Sequence, residues 1–400
     1  HHNPPEILPE AEALINPKLG SKDTPFYSLS GVGVAFKLAQ ALYQKLNNNS
    51  ALAQKYLDLV AMGTVADVVP LIGENRILTY FGLKKLSKSN WPGVELLKSL
   101  SGIKKEINTR SIGYILGPRI NAAGRIEDAG IAVDLLLAKS EKQAKPLADK
   151  LNHLNYKRRE IGAQIFDDTL NQIQENKDIL NNKVIILSSD KWHPGVTGIV
   201  ASQLVRKYNR PTVLITLEGD TARGSIRSPD GIGIFDALRQ CQDLFINYGG
   251  HQEAAGFEID ATKVTEFQKR YTSLLNTSVT EEMLIPEIKI DLELPSDQIS
   301  IELVQELNCL APFGQGNSLP IFSNNSLEVL DFRQVGDGTH LKLTLKNGKK
   351  YFDGIGFGLG EYAKLLDSSE GPWEFAFSLG VNEWNGQQKT ELTLYDIRPK

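Results

Sequence analysis

The run SEKQAKPLADKLNHLNYKRREIGAQIFDDTLNQIQEN, which begins at Ser140, restricts the possible fold more than any other stretch. Ser140 and Gln143 stand at capping-box spacing, and Leu147, Leu151, Leu154, Ile161 and Ile165 fall on one helical stripe. The pattern predicts a long connecting helix, kinked or broken near Pro146 because proline removes an intrahelical hydrogen bond. The texture of the chain differs on its two sides.

Before the helix, VAFKLAQALYQKL and NRILTYFGLKKL repeat apolar residues at helical spacing, so residues 1–139 read as a helix-rich domain. The connector takes residues 140–181. After it, the strand-like KVIILSS and PTVLITL alternate with helical GIVASQLVRKY and IFDALRQCQDLF, the pattern of an α/β domain over residues 182–280. From 286 to 400 short alternating runs dominate, and two Asn-Gly pairs, in LKNGKK and EWNGQQ, mark hairpins. That tail predicts a small β-barrel or sandwich; an OB-like barrel is the version with a nucleic-acid precedent. A chain of 400 residues exceeds one ordinary core, in keeping with several domains.

Composition narrows the class without naming a function. With 41% hydrophobic and 23% charged residues, and no apolar run near the roughly 18 needed to span a bilayer, the chain reads as a soluble globular protein. No secretory signal is visible, and Cys241 and Cys309 alone cannot build a disulfide framework, so a cytoplasmic location is expected. A net charge of -4 gives no global attraction to nucleic acid, which leaves that work to local basic patches.

Five motifs can carry chemistry. In MGTVADVVPLIGENR, Asp67 sits among apolar residues; it either caps a turn before Pro70 or is paired, hydrogen-bonded or metal-bound. In LGPRINAAGRIEDAG, Arg119 and Arg125 frame a small-residue stretch with Asn121, which suits bidentate phosphate contact or is an exposed helix-terminating loop. In DKWHPGVTGIVAS, His193 marks a strand-to-helix turn. Arg223, Ser225 and Arg227 in ARGSIRSPDG stand at spacing two, so a strand places them on one face, to grip a phosphate or simply to be solvated. In NYGGHQEAAGFEI, Gly249 and Gly250 permit close approach beside His251, and Ala254, Ala255 and Gly256 leave room for a ligand. The terminal His1-His2 is either the tail of a tag or the back half of a catalytic motif.

Taken in order, GTVADVVPL, GPRINAAGR, WHPGVTGIVAS, RGSIRS, GGHQEAAG and a β-rich tail resemble the RecJ-type single-strand-specific 5′→3′ DNA exonucleases of the DHH/DHHA1 phosphoesterase superfamily. The third motif of that family is Asp-His-His, then a Pro-rich segment and NPK; His1-His2-Asn3-Pro4-Pro5 and Asn16-Pro17-Lys18 match its later part. The resemblance implies an α/β fold class: the C-terminal, helix-rich part of a DHH domain, the long connecting helix, an α/β DHHA1 domain and a C-terminal OB-like β-barrel. It implies His1 and Asp67 as metal ligands, with His2 and Asp67 catalytic. Arg119, Asn121, Arg125, His193, Arg223, Ser225, Arg227, Gly249, Gly250 and His251 would line the DNA path or hold phosphates.

Two-metal hydrolysis of phosphodiesters follows as the expected mechanism, with Mn2+ preferred and Mg2+ accepted. The family's first two motifs, which supply most of the aspartates, are not in this sequence. The chain as given is therefore expected to be inactive, or nearly so, and its first domain to lack strands and expose apolar surface. The resemblance further implies a monomer acting on single-stranded DNA in repair and recombination, beside a helicase and a single-strand-binding protein. Of Phe352, Phe357, Trp373 and Trp384, most are expected in the core of the last domain rather than as base platforms. Two rival readings are a small-substrate DHH phosphodiesterase acting on oligonucleotides or cyclic dinucleotides, and a non-catalytic nucleic-acid-binding module.

Overall fold

The computed structural model describes residues 1–400 except 6, 104–106, 370 and 385, together with the side chain of Trp384. The chain forms two compact units, one of residues 90–104 and 115–287, the other of residues 1–89, 105–114 and 288–400. Among the described residues no helix is long and apolar enough to cross a membrane.

The first of these units is organised by the helix Glu141–Glu175, capped by the Ser140 hydroxyl on the Gln143 N–H. It runs unbroken through Pro146, contrary to the expected kink. Pro146 and Lys142 are exposed, so water can take up the carbonyl that the proline leaves without a donor. Ala144, Ala148, Leu151, Leu154, Ile165 and Ile173 bury the inner stripe.

After it come β1 (Ile185–Ser189), the helix Pro194–Tyr208 and β2 (Thr212–Glu218), which pairs in parallel with β1. β3 (Thr221–Arg227), β4 (Phe245–Gly250) and β5 (Ala254–Asp260) complete a sheet of order β1-β2-β3-β5-β4, antiparallel beyond β2. The helix Val264–Ser278 covers one face with Phe267, Tyr271 and Leu275. Gly224 is required by this packing, because a Cβ there would lie 2.0 Å from the Phe257 ring.

Cys241 is fully buried in that core, and burial pushes its thiol up to about 11, with Arg270 opposing and Asp243 reinforcing the shift. Cys309 is exposed. A thiol reagent at neutral pH should therefore label Cys309 in the native protein and reach Cys241 only on unfolding. Rapid native labelling of both thiols would contradict this core.

In the other unit the helix Gly31–Asn47 starts at Ser30, whose hydroxyl accepts from the Gly33 N–H, and ends at Asn48 in the left-handed region. The helices Leu57–Ala66 and Gly73–Leu86 cross so closely at Gly82 that a Cβ would come within 2.2 Å of the Leu57 carbonyl. Leu38, Leu42 and Leu46 lie exposed at intervals of four along the first helix, and Ile77 and Phe81 along the third. A loop of the same unit supports the segment after Asp67: the Arg76 guanidinium donates to the carbonyls of Cys309, Leu310 and Ala311, and the Leu71 N–H donates to that of Gln315.

The C-terminal sheet has strands β6 (Leu292–Glu293), β7 (Phe322–Asn324), β8 (Glu328–Val335), β9 (His340–Asn347), β10 (Lys350–Gly356), β11 (Trp373–Trp384) and β12 (Gln387–Pro399). Their order, β6-β7-β11-β12-β10-β9-β8, corrects the expected barrel, since the sheet stays open. Closure would need β6 to pair with β8, and β6 is two residues long and pairs with β7 alone among the described strands. The first expected hairpin is present: Asn347 pairs with Lys350 across a loop that Gly348 enters with φ +58°. Asn385 of the second Asn-Gly lies outside the described residues. Phe352 and Trp373 are buried as expected, whereas Phe357 is 55% exposed and packs edge-on against His340; Trp384 lies outside the described side chains.

Candidate metal centre and nucleic-acid groove

In the unit that holds the N-terminus, His1 and His2 are integrated into the fold rather than trailing from it. The Asn16 amide donates to the His2 carbonyl at 2.9 Å, and the Lys18 ammonium donates to the Asn3 side chain at 3.1 Å. Asn16, Pro17 and Lys18 thus fold back on the histidine pair. The His1 ring lies against Gly31, where a Cβ would meet Cδ2 at 3.0 Å, and its centroid is 4.3 Å from that of His2. A purification tag has no reason to be seated this way.

Asp67 follows the helix Leu57–Ala66 as its C-cap, with its N–H donating to the Gly63 carbonyl. Gly63 lets this helix approach the first, since a Cβ there would sit 2.7 Å from Val32 Cγ1. The carboxylate is 42% exposed and lies 3.4 Å from His1 Nε2, so the apolar run around it does not bury it as its neighbours suggested. What burial remains raises its pKa, against the pull of His2. The next residue, Val68, has φ +57°, a left-handed conformation that a β-branched residue adopts only under strong constraint.

An imidazole and a carboxylate 3.4 Å apart fit neighbouring positions on one divalent ion. They do not make a complete site. Among the described residues no group of three or more His, Cys, Asp or Glu side chains is placed to hold a metal.

The other unit carries a groove of about 730 Å³ between the ends of two helices and the sheet. Arg125, His193, Arg223, Ser225 and Gly249 line it. Its centre is the start of the helix Pro194–Tyr208, where His193 Nδ1 accepts from the Gly195 N–H at 3.1 Å, which leaves Nε2 to carry the proton of the neutral ring. The Arg125 guanidinium donates to the Gly195 carbonyl at 3.2 Å. Arg223, Ser225 and Arg227 do share one face of β3, alternating with buried Ala222, Gly224 and Ile226. They are not equivalent. Arg223 is paired with Glu218 at 3.3 Å and stands opposite Glu258 on β5, so much of its charge is already answered.

Arg227 lies behind the groove wall, with its guanidinium where a Cβ on Gly198 would be, 2.8 Å from Nη2. Burial, and then the charge of Arg125, pulls its pKa down. Ser225 meets the Thr197 hydroxyl at 3.2 Å. Gly250 ends β4 and His251 opens the β4–β5 turn, with the His251 N–H on the Ala254 carbonyl, and neither lines the groove. Arg119 is held by Asn152 and the Ile115 carbonyl, and exposed Asn121 sits on the same helix; both also fall outside the lining.

Sequence reasoning passed over Arg158 and Arg159 on the long helix. Burial, and then the charges of Arg125 and Arg159, lowers the Arg158 pKa, while burial and then Arg159 does the same to Arg119. The triplet Lys157-Arg158-Arg159 was the available signal.

Three family models match the chain: the DHH family N-terminal domain over residues 1–64, the DHHA1 domain over 181–277 and the RecJ OB domain over 290–396. The single-stranded-DNA-specific exonuclease RecJ of Bacillus subtilis is 35% identical over 99% of this chain and 50% of its own length. That of Escherichia coli is 35% identical over 100% of this chain and 72% of its own length. The crystal structure of Thermus thermophilus RecJ in complex with Mn2+ superposes with a TM-score of 0.80 at 32% identity, covering 93% of this chain and 53% of that one. The same protein in complex with Mg2+ also gives a TM-score of 0.80. The chain spans about half the length of the B. subtilis relative and of the T. thermophilus structure.

Proposed function

The chain belongs to the RecJ family of DHH/DHHA1 nucleases, and from that membership we propose that it is the phosphate-gripping and partial metal-binding portion of a single-stranded-DNA-specific 5′→3′ exonuclease. The observation that carries the reading is the meeting of His1 and Asp67, 66 positions apart in sequence, at 3.4 Å in a fold that grips the histidine segment from Asn16 to Lys18. His1 and Asp67 would hold one edge of a divalent-metal site. Mixed nitrogen and oxygen donors favour Mn2+, with Mg2+ accepted. When bound, two such ions would supply a hydroxide nucleophile at neutral pH and neutralise charge on the phosphoryl group.

The chain's own residues do the rest. His2, beside His1, would face the scissile phosphate. In the other unit Arg125 and Ser225 would hold a phosphate in the groove, with His193 presenting its Nε2–H. Because the described residues offer a pair of ligands and not a set, hydrolysis needs further carboxylates, and the 400-residue chain alone is inactive or nearly so. Work on single strands in repair and recombination, downstream of a helicase and in the presence of a single-strand-binding protein, suits such an activity.

The test is release of nucleotides from 5′-phosphorylated single-stranded DNA in Mn2+, comparing this 400-residue chain with the full product of its gene. The full product should cleave the long strand and the 400-residue chain should not. Faster cleavage of a dinucleotide than of a long strand would replace this reading with that of a small-substrate phosphodiesterase. Arg125→Ala should weaken single-strand binding several-fold and make its salt dependence shallower by about one unit of slope, the signature of one lost phosphate contact. Titration of a fluorescent oligonucleotide at several salt concentrations measures both.

A further inference from the structure

The long connecting helix sets another arginine near Arg125, just outside the residues that line the groove. Arg158 is half-buried on its inner side, and its Nη2 donates to Asn155 Oδ1 at 3.1 Å, one turn back on the same helix. Asn155 is 5% exposed, so this hydrogen bond fixes the guanidinium from the interior. Arg158 Nε is sealed from solvent and has no hydrogen-bond partner among the described residues. One turn further on, Gly162 lies against Val196 of the helix Pro194–Tyr208, which places Arg158 beside the first turn of that helix. Arg125 is tied to Gly195 in that turn, and Arg227 lies against Gly198 in the next.

Arg125, Arg158 and Arg227 therefore converge on the start of one helix, and no carboxylate pairs with any of them among the described residues. Three half-buried guanidiniums without a counter-charge disfavour the empty state, because each raises the cost of desolvating the others. An anion bound beside Arg125 would offset this repulsion. A purely structural arginine would instead be expected to hold a carboxylate or a run of carbonyls, as Arg76 does.

We propose that Arg158, oriented by Asn155, is a phosphate-contacting residue of the groove, and that the connecting helix is thus part of the DNA-binding surface rather than a spacer. The inference rests on the groove's reading as a phosphate site. It assigns Arg158 to contact and Asn155 to positioning.

The experiment uses the 400-residue chain with EDTA present, so that binding is read without cleavage. Inorganic phosphate and a 5′-phosphorylated oligonucleotide are the probes, followed by thermal shift and by anisotropy across a salt series. Arg158→Ala should leave the melting temperature in anion-free buffer unchanged or raised, shrink the rise that phosphate produces, and weaken oligonucleotide binding about tenfold with a salt slope shallower by about one. Asn155→Ala should weaken binding with the wild-type slope retained, since the charge remains while its aim is lost. Arg158→Gln, which keeps most of the side chain, stands in should the alanine variant fail to fold.

A lower melting temperature in anion-free buffer, combined with wild-type phosphate response and wild-type salt slope, would make Arg158 structural and overturn the inference alone. A wild-type chain that responds to neither probe would overturn the groove itself, and the inference with it.

Discussion

Asp67→Ala, made in the full product of its gene, should lose Mn2+-dependent release of nucleotides by about three orders of magnitude while still binding single-stranded DNA. The size follows from what the side chain is asked to supply: stabilisation of transition-state charge through a metal is worth several kcal/mol, and about 1.4 kcal/mol corresponds to each factor of ten. Retention of the fold follows from where the residue sits. Asp67 contributes to structure chiefly through its backbone N–H on the Gly63 carbonyl, which alanine keeps, and its side chain is 42% exposed. Its removal should change stability by no more than about 1 kcal/mol. The arginines proposed to hold DNA lie in the other unit, so affinity measured in EDTA should match wild type. Asp67→Asn, which keeps shape and removes charge, should fall nearly as far in activity. Activity within tenfold of wild type in either variant, measured in saturating Mn2+, would remove Asp67 from the metal site and leave its approach to His1 without a catalytic meaning.

The pairing of His1 with Asp67 was legible only through motif order, because nothing in the local sequence of either residue states that the two meet. What the residues alone did convey was chemistry that acts locally. The Ser140 cap, the burial stripe of the long helix, the shared face of Arg223, Ser225 and Arg227, and the Gly348 turn each depend on spacing along a single element. The readings that needed correction depend on what surrounds an element. Pro146 was expected to break its helix, and does not because the carbonyl it orphans is in water. Most of the four aromatics of the last domain were expected in its core, and Phe357 leaves it, because alternation carries it to the outer face beyond β10, where His340 partly covers it. Barrel closure depends on whether the two edge strands can reach each other, and the two residues of β6 are too few to read from a pattern. Arg158 was overlooked for a related reason. A basic triplet on a helix reads as solvated surface until the adjacent helix shows that one of the three points inward.

Gly195 offers the sharpest structural test of the groove. The residue is the second of the helix Pro194–Tyr208, and a Cβ built on it would lie 2.2 Å from the Arg125 carbonyl oxygen and 3.1 Å from its carbon. These are backbone atoms at the end of the helix Gly117–Ile126, so no side-chain rotation can relieve the overlap. Gly195→Ala must push the two helix ends apart, breaking the Arg125 bond to the Gly195 carbonyl and opening the groove at the point where the guanidiniums converge. Overpacking of this kind costs about 3 kcal/mol. For a unit of this size that corresponds to a drop of roughly 6–12 °C in the melting transition that unfolds it. Oligonucleotide binding should fall further than in Arg125→Ala, because the substitution disturbs both the arginine and the helix start that His193 caps. Gly249→Ala provides the contrast on the opposite wall: a Cβ there meets nothing within 4 Å, so the melting temperature should stay at the wild-type value. Equal melting temperatures for wild type and both variants would show that the two helix ends do not approach as closely as the structure places them, and would undo the geometry on which the groove depends.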